Sequence, residues 1–244
     1  MRYKLTIEYK GTNYNGWQRQ LKLPSVQGKI EDTIFKLFGE KVTIGGAGRT
    51  DKGVHALGQV AHLNLSYEIL PKNLMHALNC NLPDDIKIAS IEVVENTFFA
   101  NKAKSKTYKY NLYISEFLKP LKDDFATLVK PPISIELMKQ AGKLFLGVHD
   151  FEAFSCASRT VKTTVREISK LDIIEKNNDI EITIEGNGFL YNMVRIIVGT
   201  LVDIASEKKP ISTINDMFLT KNRTLGGKTY PAKGLTLLEV KYNL

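Results

Sequence analysis

Two periodicities take turns along this chain, and their order limits the fold more than any other feature. Tyr3, Leu5, Ile7 and Tyr9 alternate with polar residues, the two-residue repeat of a half-buried strand. Ser25 stands where a helix N-cap belongs. Val26, Ile30, Ile34 and Leu37 follow at intervals of four, four and three, which is one helix face. Val42 and Ile44 open a second strand that runs into a glycine-rich loop, and GQVAHLNL resumes as a strand. Pro71 begins a helix continued by Leu74 and Leu78, and DIKIASIEVV is a further strand.

The order then recurs. KTYKYNLYI alternates, with Tyr108, Tyr110, Leu112 and Ile114 on one face. SIELMKQAGKLFLG reads as a helix with Leu137, Ala141 and Leu144 in line. VREISKLDIIEK and DIEITIEG are two strands around Asn177-Asn178, a hairpin signal. Leu190, Val194, Ile197, Leu201 and Val202 make a strongly apolar helix, Ser212 to Leu219 a shorter one, and GLTLLEVKY a closing strand. Each half thus reads β-α-β-β-α-β, the split βαβ order, with no repeat in the residues themselves. The expected fold is α/β of the α+β type. It has two ferredoxin-like, RRM-like halves, residues 1–100 and 101–244, and a mainly antiparallel mixed sheet. A cleft between such halves is where a site is expected.

A chain of 244 residues is long enough for one sizeable core or two small units. Its formal net charge of +8 points to an acidic partner, for which nucleic acid is the usual candidate. Cys80 and Cys156 form no C-x-x-C pair, and His55, His62, His76 and His149 are scattered, so neither a metal site nor a disulfide framework is expected. The most apolar stretch, MVRIIVGTLVDIA, is interrupted by Arg195 and Asp203 and is too short to span a bilayer. The first residues have no apolar signal-peptide core. A cytoplasmic protein with no membrane partner is expected.

The loop GGAGRTDKGVHA, Gly45 to Ala56, carries the chemistry. It contains no Gly-Lys-Ser/Thr, so it is not a P-loop. A dinucleotide fingerprint starting at Gly46 fails on spacing as well. What remains is a flexible backbone with one carboxylate, Asp51, between Arg49 and Lys52. Nearby cations favour an ionised carboxylate, and an ionised, positioned aspartate can act as a nucleophile. The residues alone are equally compatible with an Asx-type turn bearing solvated charges.

GAGRTDKGVHA resembles the signature of the tRNA pseudouridine synthase A family. Other segments agree in order: YKGTNYNGWQRQ (Tyr9 to Gln20), KTYKY (Lys106 to Tyr110), HDFEAF (His149 to Phe154), GFLYNMVRIIVG (Gly188 to Gly199) and PAKGLTL (Pro231 to Leu237). The resemblance covers essentially the whole chain. It implies the pseudouridine synthase fold with a central active-site cleft, the aspartate loop in the first half, and the tyrosine strand and arginine helix in the second. It also implies a homodimer that isomerises uridine to pseudouridine at positions 38, 39 and 40 of the tRNA anticodon stem-loop, with no cofactor. Asp51 falls on the family's nucleophile, attacking a flipped uridine at C1′ or C6. Tyr108 falls on its active-site tyrosine and Arg195 on its helix arginine, which would pair with Asp51. Leu235 falls on a residue that packs against the base. Arg49 would contact the flipped nucleotide's phosphate or fill the vacated stack.

Lys52, Lys102, Lys104, Lys106, Lys109, Arg159, Lys162 and Arg166 would supply an RNA track, each phosphate contact adding to the salt dependence of binding. One departure stands out. The family often reads Phe-His-Ala-Arg where Phe98 to Asn101 reads FFAN, and the segment up to Tyr108 is one residue shorter. Lys102 would stand in for the missing arginine, as a point charge rather than a fork. The competing reading is a non-catalytic RNA-binding protein, since ferredoxin-like sheets also stack bases on aromatic residues.

Overall fold

The computed structural model describes residues 1–156 and 162–243; Arg159 of the expected RNA track lies outside the described residues. The elements run β1 (Arg2–Tyr9), α1 (Val26–Phe38), β2 (Gly45–Gly46), β3 (His55–Asn64), α2 (Pro71–Asn81) and β4 (Ile86–Val94). They continue through β5 (Ser105–Ile114), α3 (Pro120–Asp123), β6 (Thr127–Val129), α4 (Ile135–Lys143), β7 (Gly147–Asp150), β8 (Val165–Lys176) and β9 (Asp179–Gly186). Then come α5 (Met193–Ala205), α6 (Thr213–Thr220) and β10 (Leu235–Lys241). The chain divides into two compact units, Met1–Lys104 with Thr236–Leu244, and Ser105–Leu235.

In the first unit the alternation in β1 is realised as burial: Tyr3, Leu5, Ile7 and Tyr9 are all buried. β1 lies antiparallel between β3 and β4, with Leu5 opposite Ala61 on one side and Ile91 on the other. β2 pairs antiparallel with β3 through Gly45↔His62 and Gly46↔Ala61. The order β4-β1-β3-β2 is the ferredoxin-like one. β10 meets the start of β3 in parallel, Thr236 opposite His55 and Leu237 opposite Ala56, which is why the closing residues group with this unit. Ser25 caps α1 by accepting from the Gly28 N–H at 3.2 Å, and Gly39 ends the helix in the left-handed region at φ 69°.

The second strand is shorter than expected. Val42 and Ile44 precede it instead of opening it. The Ile44 backbone is bonded to helix α1: its N–H donates to Glu31 Oε1 at 2.9 Å and its carbonyl accepts from Gln27 Nε2 at 3.2 Å. Two buried polar side chains thus satisfy the backbone that a strand would otherwise pair.

In the second unit β5 and β9 are antiparallel, with Tyr108 opposite Ile184. β9 and β8 form the expected hairpin. Asn177 and Asn178 both have positive φ, 54° and 68°, as a two-residue turn matched to strand twist requires. β7 adds to β8, and β6 runs parallel to β5. Helix α4 buries Met138, Ala141 and Gly142; Leu137 and Leu144 of the expected stripe are only half-buried. The face is rotated because α4 sits close on β8, where a Cβ at Gly142 would lie 2.9 Å from the Leu171 side chain. Among the described residues, parallel pairing within the two units is confined to β10 on β3 and β6 on β5, so the protein is a mixed α/β fold with mostly antiparallel strands.

Candidate active site

The glycine-rich loop joins β2 to β3 in the first unit, and the segment Tyr9–Gln20 fastens it. The Ala47 N–H donates to the Val60 carbonyl at 2.8 Å, and the buried Gln59 donates Nε2–H to the Gly48 carbonyl at 2.9 Å. Thr50 is held from two sides: its carbonyl accepts from the Trp17 N–H at 3.1 Å, and its hydroxyl meets the Tyr9 hydroxyl at 2.8 Å in a buried pair. Burial pushes the Tyr9 phenol well above its usual range, so it stays neutral and keeps its proton for this bond. Past Asp51, the Gly53 N–H reaches the Tyr14 carbonyl at 3.3 Å, and the Val54 N–H closes a turn on the Asp51 carbonyl at 3.1 Å.

Two close approaches make this fastening possible. Gly16 adopts φ +92°, and a Cβ there would stand 2.4 Å from the Thr50 carbonyl oxygen. The Trp17 indole lies flat enough against Gly46 that a Cβ would fall 2.4 Å from its Nε1. The loop is therefore tied on both sides of one residue, Asp51, which is half-buried while its neighbours Arg49 and Lys52 are exposed. Such a loop presents a carboxylate in a fixed place.

The second unit carries Tyr108, Arg166, Arg195 and Leu235. Tyr108 is buried on β5 and meets the Phe189 ring edge-on, centroids 5.1 Å apart. Arg195 projects from the first turn of α5, whose other residues are nearly all buried. Its Nε donates to the Tyr230 carbonyl at 2.6 Å, and a terminal nitrogen donates to Asn192 Oδ1 at 2.7 Å. The Tyr230 N–H returns a bond to the Arg195 carbonyl at 3.1 Å. Tyr230 comes this near because Gly199 has no side chain: a Cβ there would lie 1.9 Å from the Lys228 carbonyl. Burial, with the charge of Asp203 adding to it, pushes the Tyr230 phenol up to about 12. Leu235 is buried at the end of this segment, just after a short 3-10 turn at Ala232–Gly234.

Lys102 closes a turn, its N–H donating to the Phe99 carbonyl at 3.0 Å. Its ammonium sits over the Phe99 ring, 5.2 Å from the centroid. Phe99 in turn meets His62, near the last residues of β3. His62 stands opposite Gly45, where the glycine-rich loop begins, and Asp51 lies six residues further along that loop. Among the described residues no group of three or more His, Cys, Asp or Glu side chains is arranged to hold a metal ion.

Several supports of these residues carry no periodic signal. Tyr9 and Thr50 are 41 residues apart, and Tyr230 and Arg195 are 35 apart. Asn192 had a readable cue, since an asparagine just before an apolar helix suits the left-handed cap it adopts at φ 62°. Its amide also donates to Cys156 Sγ at 3.2 Å.

A family model described as tRNA pseudouridine synthase matches residues 5–101 and 141–243. Both matched segments carry sites described above, Asp51 in the first and Arg195 in the second; Tyr108 falls between them. The chain is 44% identical over 240 residues to the tRNA pseudouridine synthase A of Acetivibrio thermocellus, covering 98% of each. It is 43% identical over 241 residues to that of Ruminiclostridium cellulolyticum, again covering 98% of each. With that of Streptococcus thermophilus the identity is 40% over 246 residues, covering 99% of each. On a match of this extent, the chain belongs to the tRNA pseudouridine synthase family.

Proposed function

We propose that this protein isomerises uridine to pseudouridine in tRNA, at positions 38, 39 and 40 of the anticodon stem-loop, with Asp51 as nucleophile. The observation that carries the proposal is the loop itself, tied to its surroundings at Ala47, Gly48, Thr50 and Gly53 around a single half-buried carboxylate. The target uridine leaves the base stack, because its reacting atoms are hidden there. Attack at C1′ of the ribose or at C6 of the ring gives the same balance. The C1′–N1 bond breaks, the uracil turns, C5 bonds to C1′, and Asp51 leaves. C5 loses a proton and N1 gains one, so no cofactor is consumed.

Tyr108 supplies a face for the flipped base and assists removal of the C5 proton. Arg195, oriented by Tyr230 and Asn192, is assigned to pair with Asp51 and keep it ionised. Leu235 packs against the base. Arg49 holds the flipped nucleotide's phosphate or fills its place, while Lys52, Lys102 and Arg166 contact the RNA backbone. The active form is assigned as a homodimer.

The test uses an unmodified tRNA transcript with no added metal or nucleotide, mapped by carbodiimide treatment and primer extension. Stops at 38 to 40 that disappear with Asp51→Asn are expected, with tRNA affinity retained. More than about 1% residual rate in that variant removes Asp51 as nucleophile, because losing a nucleophile lowers rate by several orders of magnitude. Tight binding without any stops favours the non-catalytic RNA binder.

A further inference from the structure

In the second unit Lys106 and Arg166 occupy one end and one face of the sheet. Lys106 is opposite Gly186 across β5 and β9, and Gly186 is opposite Ile168 across β9 and β8. Arg166 precedes Ile168 by two residues and so projects from the same face. No side chain branches from the middle of this row. A Cβ at Gly186 would lie 3.3 Å from the Phe189 ring, and one at Gly188 would lie 3.5 Å from Arg166 Nε. The two cations therefore flank Phe189, and Phe189 meets Tyr108 edge-on.

Both are half-buried, and among the described residues neither meets a carboxylate. One Arg166 terminal nitrogen is turned back on its own strand, donating to the carbonyls of Thr163 at 2.9 Å and Val165 at 2.6 Å. Lys106 has no hydrogen-bond or ion-pair partner among the described residues. Loss of water, and then the charge of Arg166, hold the Lys106 ammonium below its usual range. Loss of water does the same for Arg166. Two like charges withdrawn from water without a counter-charge are unfavourable. An anion bound between them would offset that.

We propose that Lys106 and Arg166 jointly hold one phosphodiester of the bound RNA, that of the nucleotide whose base lies on Tyr108. The inference rests on the tRNA reading above. Lys106 and Tyr108 project from one face of β5 roughly 7 Å apart, a separation suited to a nucleobase and its own phosphate. A phosphate accepts charge-assisted bonds from a lysine and an arginine together, and Arg166 still has its remaining fork to offer.

The experiment measures affinity for an unmodified tRNA transcript against potassium chloride for wild type, Lys106→Met, Arg166→Met and the double variant. One shared phosphate predicts that the slope of log K against log salt falls by about 0.7 in the double variant, the single-strand value for one contact. Each single variant loses part of the same 0.7. No change in slope, or a fall of about 1.4 as for two separate phosphates, overturns the proposal. Placing a neutral methylphosphonate at the target nucleotide should weaken wild-type binding and leave the double variant unaffected; equal weakening of both counts against the site.

Lys106→Met should keep or raise Tm, because it removes an unpaired, partly desolvated charge. A marked fall in Tm would make Lys106 structural and overturn its role. The two readings fail separately. Pseudouridine formed by wild type with unchanged slopes removes this phosphate site alone. Altered slopes without any pseudouridine remove the reaction and leave the anion site.

Discussion

Replacing Thr50 by Val keeps the outline of the side chain and removes one hydroxyl. That hydroxyl faces Tyr9 at 2.8 Å in a buried pair, one residue before the proposed nucleophile. A buried hydrogen bond is worth about 1 kcal/mol net, and stranding its partner costs about 1–3 kcal/mol. The lower end applies here, because the Gln59 side chain also bonds the Tyr9 phenol. Thr50→Val should therefore lose about 1 kcal/mol, and Tyr9→Phe a similar amount. For a chain of this length that is a fall in Tm of about 2–4 °C each.

The double variant has no stranded hydroxyl and should be destabilised by no more than either single one. The assay is a double-mutant cycle in thermal or urea unfolding, beside single-turnover pseudouridine formation. Turnover should fall about tenfold or more in Thr50→Val, since small misplacements of a reacting group are costly. Additive losses, agreeing within about 0.5 kcal/mol, would refute the coupling. Full turnover in all three variants would refute the view that this bond serves Asp51.

Three further outcomes follow from other contacts. Desolvation, then the Arg2 charge, hold His62 below its usual value of 6.5. The unfolded chain therefore binds this proton more readily. Stability is complete above about pH 6.5 and declines as pH falls through the folded value; His62→Gln should flatten Tm against pH, and an unaltered profile would count against it. Gly199→Ala forces a Cβ to 1.9 Å from the Lys228 carbonyl. Urea unfolding should register a loss of about 1–3 kcal/mol, with turnover falling as Tyr230 shifts from Arg195; wild-type stability would mean that the segment yields freely. Asn192→Gly relieves the left-handed backbone but removes the amide that meets Arg195. It should keep Tm and lower kcat with little change in tRNA affinity, whereas wild-type kcat would reduce Asn192 to a backbone role.

Features whose cause lies within a few residues were readable from the chain alone. The alternation of β1, the Ser25 cap, the Asn177-Asn178 hairpin and the spacing of α1 each depend on one strand or one helical turn, and each appears in the structure. The lack of a phosphate-binding motif around Asp51 was readable too, since the residues that exclude it are contiguous. Family membership was legible for the same reason, in short segments read in order.

Tertiary structure decided the rest. Ile44 belongs to no strand because Gln27 and Glu31, more than ten residues earlier, take its backbone bonds. Which face of α4 turns inward follows from how closely β8 approaches Gly142, not from the helical repeat. Nothing in the alternation of Leu235 to Lys241 names β3 as a neighbour. The bonds that hold Thr50 and Arg195 join residues 35 to 41 positions apart, and the Lys106–Arg166 row spans three strands. Periodicity reports only which side of an element is apolar; which element covers that side, and which polar groups then meet there, is set by pairing across the fold.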